Sequence, residues 1–208
     1  MNTVELLIKY KIVAILRGAK PEDTPDIVQA LYAGGIHAVE ITLNSADAVQ
    51  VISKVARAVS SKMLVGAGTV LNAASAIAAM DAGAQYIISP SFDIDTISVT
   101  KARGMVSIPG AYTATEIVKA YEAGADIVKV FPAQSPQYIK DLRGPLSHIP
   151  LMPTGGVNIG NIRAFSDAGA VAFGIGSALV DSHQKISSAW LQELTNKAQA
   201  FVQALSTT

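Results

Sequence analysis

A chain of 208 residues with 50% hydrophobic and only 15% charged side chains can bury a large core, and it reads as one domain over residues 1–208. Its 16 basic residues balance its 16 acidic ones and no long charge run occurs, which excludes an electrostatic surface for nucleic acid or membrane and favours small-molecule partners. The absence of cysteine removes disulfides, thiolate nucleophiles and cysteine-held zinc together, and His37, His148 and His183 are too scattered for a local metal motif, so neither metal nor other cofactor is expected.

The start of the chain has no basic segment followed by a long apolar stretch, and no 18-residue apolar run follows, so a cytoplasmic protein is expected. A short helix over residues 4–9 precedes the first strand at 11–17 and a helix at 25–33. The series continues with strand 36–43, helix 46–60, strand 63–69, helix 73–82, strand 85–89, helix 94–102 and strand 105–109. Helix 114–123, strand 126–131, helix 136–141, strand 151–155, helix 159–168 and strand 171–175 come next, and a C-terminal helix at 187–205 ends the chain. Four copies of an Ala-Gly pair, at Ala33, Ala82, Ala123 and Ala168, each close a helix ahead of an apolar run, as a left-handed glycine between helix and buried strand would. Eight strands in strict alternation with helices predict a (β/α)8 TIM barrel, an α/β fold, with short loops at this length.

Barrel enzymes place their chemistry at the C-terminal ends of the strands, where this chain has Arg17, Glu40, Thr69, Ser89, Lys129 and Thr154. Lys129 is the most informative, because it interrupts the apolar run from Asp126 to Pro132. An ammonium buried there is costly, so the lysine is paired with a carboxylate or neutral and nucleophilic towards carbonyl carbon, unless its head snorkels into water. Strand alternation puts Glu40 on a face with Ala38 and Thr42, Lys129 with Ile127 and Phe131, Arg17 with Val13 and Ile15, and Thr69 with Val65 and Ala67. Each set is expected to face the barrel interior, which brings Glu40 and Lys129 into one mouth, as an ion pair or as an acid/base and carbonyl-reactive pair.

Glycines give the second signal. Thr154-Gly155-Gly156 follows the seventh strand and Gly174-Ile175-Gly176-Ser177 the eighth, the two loops in which barrels bind phosphate through backbone N–H groups. Ser177 is expected to cap a short helix there and to offer its hydroxyl. The same glycines would also serve plain tight turns. Those at Gly66 and Gly68 either admit substrate near Thr69 or relieve crowding inside the barrel. Ser89-Pro90 and Pro109-Gly110 are expected to line the pocket.

Together, Val39-Glu40-Ile-Thr-Leu43, Gly66-Ala-Gly-Thr-Val70, Val128-Lys129-Val-Phe-Pro-Ala133, Pro153-Thr-Gly-Gly-Val157 and Gly176-Ser177 resemble the 2-keto-3-deoxy-6-phosphogluconate aldolase and 4-hydroxy-2-oxoglutarate aldolase family. The resemblance runs from about residue 5 to the C-terminal helix. It implies a class I aldolase on a (β/α)8 barrel, with Lys129 forming the Schiff base and Glu40 moving protons. It also implies that Thr69 holds the pyruvate carboxylate and that Gly155, Gly156, Gly176 and Ser177, beside Thr154, form the phosphate end. A homotrimer is implied too, in keeping with a hydropathy that is high for so few aromatic residues.

Many phosphogluconate-type members carry an arginine where this chain has Asn44. Arg17 can supply the missing cation as a two-pronged carboxylate ligand, and the Leu-Arg-Gly and Leu-Asn-Ser segments resemble the phosphogalactonate-type aldolases; an exposed rim position is the alternative for Arg17. The expected reaction is cleavage of a 2-keto-3-deoxy-6-phospho sugar acid to pyruvate and glyceraldehyde 3-phosphate, of 4-hydroxy-2-oxoglutarate to pyruvate and glyoxylate, or both. A phosphate-binding barrel isomerase or epimerase without an imine, and a non-catalytic sugar-phosphate binding barrel, are the rival readings.

Overall fold

The computed structural model describes residues 1–59, 62–181 and 184–206, so His183 and Ser60 lie outside the described residues. Helix α1 (Thr3–Tyr10) leads into β1 (Ile12–Leu16), α2 (Thr24–Ala33), β2 (Ala38–Thr42), α3 (Ala48–Val59), β3 (Leu64–Gly68), α4 (Ala73–Asp81) and β4 (Tyr86–Ile88). Then come α5 (Ile94–Ala102), β5 (Val106–Ile108), β6 (Gly110–Ala111), α6 (Ala114–Glu122), β7 (Val128–Val130), α7 (Pro136–Arg143), β8 (Leu151–Pro153), α8 (Ile162–Asp167), β9 (Phe173–Ile175) and α9 (Ser188–Ser206). All pairings are parallel, in the orders β5-β4-β3-β2-β1-β9 and β6-β7-β8. A parallel bridge from Thr154 to Gly174 joins β8 to β9, and Asp126 N–H donates to the Ser107 carbonyl at 3.0 Å on the other side, which closes the (β/α)8 barrel. The expected fifth strand, 105–109, forms β5 as far as Ile108, and β6 follows beyond Pro109, which has no N–H to give the ladder.

Local signals account for the helix starts. Asn2 and Glu5 form a reciprocal capping box on α1, and Thr113 and Glu116 form another on α6. Asn72, Asp93 and Ser135 cap α4, α5 and α7 with single side-chain bonds. At the other ends, Gly83 and Gly124 take φ of +106° and +102°, as the repeated Ala-Gly pair requires. Helix α8 is shorter than the expected 159–168. The Asn158 side chain accepts from Gly160 N–H at 2.9 Å, and the Asn161 side chain accepts from Asn158 N–H at 2.8 Å, so these residues form a turn instead of a first helical turn.

Two apolar regions result. One lies between the barrel and its helices and holds Val39, Ile41, Val65, Ala67, Val128 and Val130 among many others. The other fills the barrel, with Val13, Ala38, Leu64, Tyr86, Val106 and Ile127, and is sealed at the N-terminal end by Leu7 of α1. Among the described residues, no helix is long and apolar enough to cross a membrane.

The strand faces confirm three of the four expected inward sets and overturn one. Val65 and Ala67 face the helices, so the inner face of β3 is Leu64, Gly66 and Gly68. Thr69 reaches the barrel mouth because its backbone turns to a φ of +55° immediately after the strand, which breaks the alternation.

Candidate active site

A cleft of about 830 Å³ opens at the C-terminal ends of the strands. Arg17, Thr69, Lys129, Thr154, Gly155, Gly156, Gly176 and Ser177 all line it, as do Pro90 and Phe131. Ser89 and Glu40 are buried and are not among the residues that line it.

Lys129 stands in the middle of β7, between Gly110 on β6 and Met152 on β8. It is only 3% exposed, so its head does not snorkel into bulk water, and its Nζ sits 5.1 Å from the centroid of the Phe131 ring. Among the described residues no carboxylate forms an ion pair with it. The structural ion pair with Glu40 is therefore absent.

Glu40 is fully buried, and neither carboxyl oxygen has a hydrogen-bond partner. Its side chain occupies the space that Gly68 leaves on the neighbouring strand; a Cβ on Gly68 would overlap the carboxyl. Gly66 in the same way gives room to the Tyr86 ring, and Gly174 to the Thr154 side chain. The inner glycines thus make space for neighbouring side chains, which is the second of the two roles expected for Gly66 and Gly68. Burial pushes the Glu40 carboxyl above its ordinary value, and the positive charges of Lys129 and then Arg17 pull against that shift without cancelling it. A group in this state exchanges a proton easily once a substrate brings it a partner. Gly68→Ala is expected to displace the carboxyl and reduce turnover by about 10²-fold or more, read from steady-state rates; a rate within a few-fold of the parent would show that the carboxyl's seat on Gly68 is immaterial.

Arg17 is exposed at the cleft rim, as its alternative reading allowed, yet it is held in place. Its Nη1 donates to Asn44 Oδ1 at 3.3 Å and its Nη2 to Thr69 Oγ1 at 3.4 Å. Beside it, Gly18 N–H donates to Ser45 Oγ at 2.8 Å, and Ser45 Oγ lies 2.9 Å from Thr42 Oγ1. These bonds tie the loop after β1 to the loop after β2. Asn44 is thus a holder of the cation, a role that sequence reasoning missed because it saw only a lost charge.

Above β8 and β9 the cleft is lined by backbone. Gly155 and Gly156 take φ of +79° and +77°, and the Gly156 carbonyl accepts from Asn161 Nδ2 at 2.9 Å. Two successive left-handed residues are open to glycine and strained for other side chains. After β9, the Gly176 carbonyl accepts from Leu179 and Val180 N–H at 2.8 and 2.9 Å, which closes a single turn. The expected helix capped by Ser177 does not form, because the chain leaves the turn after one round; Ser177 still presents its hydroxyl to the cleft. Tyr86 is a further residue that sequence reasoning passed over, although a tyrosine inside a short buried strand signals a hydroxyl in need of an acceptor.

The family model for KDPG and KHG aldolases matches residues 4–196. The chain is 38% identical over 199 residues to the 2-dehydro-3-deoxy-6-phosphogalactonate aldolase of Escherichia coli K12, covering 94% of this chain and 95% of that one. It is 31% identical over 202 residues to the 2-dehydro-3-deoxy-phosphogluconate aldolase of Treponema pallidum, covering 96% and 95%. A solved native KDPGal structure superposes with a TM-score of 0.87 at 38% identity, covering 93% of each chain. This barrel, with a buried lysine and an unpartnered buried carboxyl and matched along nearly its whole length, belongs to the KDPG and KHG aldolase family.

Proposed function

We propose that this aldolase works as one barrel domain and cleaves a 2-keto-3-deoxy-6-phospho sugar acid to pyruvate and glyceraldehyde 3-phosphate through a Schiff base on Lys129. The observation that carries the reading is a cleft-lining amine that has no ion pair among the described residues and, buried within reach of its charge, a carboxyl that no donor bonds. Each is costly for stability and useful for carbonyl chemistry.

The unprotonated Lys129 amine attacks the C2 ketone, and the carbinolamine loses water to give an iminium. Glu40 takes the C4 hydroxyl proton through a bridging water or after moving up from its seat on Gly68. The C3–C4 electron pair then flows into the iminium, which leaves an enamine and free glyceraldehyde 3-phosphate. The same Glu40 proton returns to C3, and hydrolysis of the pyruvate imine restores the amine. Because the iminium holds the charge, one carboxyl that both accepts and gives a proton suffices. Arg17 and Thr69 receive the substrate carboxylate, and the Thr154 to Gly156 segment and the Gly176-Ser177 turn receive the phosphate at the other end.

The galactonate type is the better supported of the two sugar acids. The 38% identical relative carries that specificity in its name, and Asn44, which braces Arg17, stands where many gluconate-type chains carry an arginine. Cleavage of 4-hydroxy-2-oxoglutarate to pyruvate and glyoxylate uses the same imine and is proposed as a secondary activity, since it needs nothing from the phosphate end. A phosphorylated substrate is retained inside cells, which suits a cytoplasmic enzyme. A homotrimer follows from the family resemblance, and exposed Leu71 and Phe92 on the loops after β3 and β4, with Ile94 at the start of α5, supply apolar surface for it.

Pyruvate mixed with borohydride tests the reading. A pyruvyl adduct mapped to Lys129 by peptide mass spectrometry, with cleavage of the phosphogalactonate-type acid, is expected. Pyruvate binding without an adduct would favour an imine-free isomerase instead. Asn44→Ala is expected to raise KM for the sugar acid by about 10-fold with a smaller change in kcat, because it removes one of the bonds that hold Arg17 and leaves Arg17 itself in place. An unchanged KM would remove Asn44 from the carboxylate end.

A further inference from the structure

Among the described residues, the inner face of the barrel carries one buried titratable side chain that the proposed reaction does not use. Tyr86, on β4, is fully buried. In the strand register Glu40 and Tyr86 both pair with Gly66, so they flank a residue with no side chain. The Tyr86 ring fills that gap, and a Cβ on Gly66 would overlap it. Its hydroxyl crosses β3 altogether and donates to the Val39 carbonyl on β2 at 2.5 Å. That carbonyl belongs to the peptide unit that joins Val39 to Glu40.

A phenylalanine would fill the same gap without taking a hydroxyl out of water, so packing alone does not account for the oxygen. Glu40, for its part, receives no hydrogen bond, and its direction is set by packing and by the backbone that carries it. We propose that Tyr86 is a positioning residue for Glu40: its bond to the Val39 carbonyl fixes the glutamate's backbone, and its ring walls the carboxyl off from water on the β4 side. The carboxyl is thereby kept dry and aimed for proton transfer at the carbon next to the Lys129 imine. This inference rests on the aldolase reading above.

Tyr86 is not itself the proton carrier. Burial pushes its phenol well above the ordinary value and the Glu40 charge pushes it further, so the hydroxyl stays protonated and keeps donating to Val39. The charged groups that act on Glu40 are Lys129 on β7 and Arg17 beyond β1, with Tyr86 as its titratable neighbour on β4. Any effect of Tyr86 on the reaction therefore passes through the carboxyl.

Two readouts on the same protein separate the steps. Borohydride trapping of pyruvate reports imine formation at Lys129, and exchange of the pyruvate methyl hydrogens in deuterium oxide reports the proton transfer assigned to Glu40. Tyr86→Phe is expected to trap within about twofold of the parent while exchanging about tenfold more slowly, with the acid limb of its pH profile moved to lower pH as the untethered glutamate shifts from its dry seat towards the cleft. Tyr86→Leu, which opens the space beside Gly66, is expected to move the exchange further in the same direction. A parent that traps no pyruvate overturns the aldolase reading itself. A parent that traps and exchanges, with Tyr86→Phe matching its exchange rate and pH profile, overturns the Tyr86 proposal alone. A parallel fall of trapping and exchange in both variants overturns it as well, because it marks a general loss of structure.

Discussion

A Lys129→Ala variant is expected to lose retro-aldol turnover by about 10⁴-fold or more and to give no pyruvyl adduct with borohydride, while remaining folded. The iminium is the only electron sink in the proposed sequence, so without the amine the C3–C4 bond has nowhere to send its electrons. Among the described residues no other lysine lines the cleft. Lys101, for example, lies at the end of α5, where its amine donates to both Asp126 oxygens at 2.6 and 2.7 Å ahead of β7, away from the cleft. Lys129→Met keeps most of the side chain's volume against Phe131 and serves as the packing control. Both variants should keep the parent's far-ultraviolet circular dichroism and melt cooperatively. Substantial turnover in either one would end the Schiff-base mechanism.

Much of this site was readable from alternation and from the places where polar residues end apolar runs. On β2 and β7 the pattern put Glu40 with Ala38 and Lys129 with Ile127, and all four side chains do point into the barrel. On β3 the same rule failed. A parallel strand is apolar on both faces, so periodicity shows which residues share a face and leaves open which face looks inward. Val65 and Ala67 alternate onto one face with Thr69 and were expected inward with it, whereas the barrel requires the small pair Gly66 and Gly68 there to make room for Tyr86 and Glu40. That requirement comes from residues on two other strands. Asn44 was equally unreadable, because its meaning depends on Arg17 reaching it from another loop. The missing helix after Ser177 has a local cause: one turn closes on the Gly176 carbonyl, and a serine heads either arrangement equally well.

Glu40→Gln is expected to slow turnover by about 10² to 10⁴-fold and, at the same time, to make the protein more stable at neutral and alkaline pH. The two effects share one cause. Glu40 is buried with no donor on either oxygen, and its carboxyl holds its proton more tightly in the folded chain than an exposed glutamate does. Its contribution to stability is therefore most favourable below the ordinary glutamate value, where folded and unfolded chains are both protonated. That contribution declines as pH rises through the raised folded value, because the folded state must then keep an unpaired charge or its proton at a cost. Glutamine has nearly the same shape and no proton to lose; its amide also lacks partners, but a neutral group without partners costs less than a charge. The stability gap between variant and parent should thus be small in acid and widen with pH. Each kcal/mol corresponds to about 2–4 °C in the melting midpoint for a chain of this size. Melting curves at pH 4.5 and pH 8, at one protein concentration, read the difference directly. A gap that stays flat across that window would show that the charge costs the fold nothing, and Glu40 would then need a partner in solution that the structure does not give it.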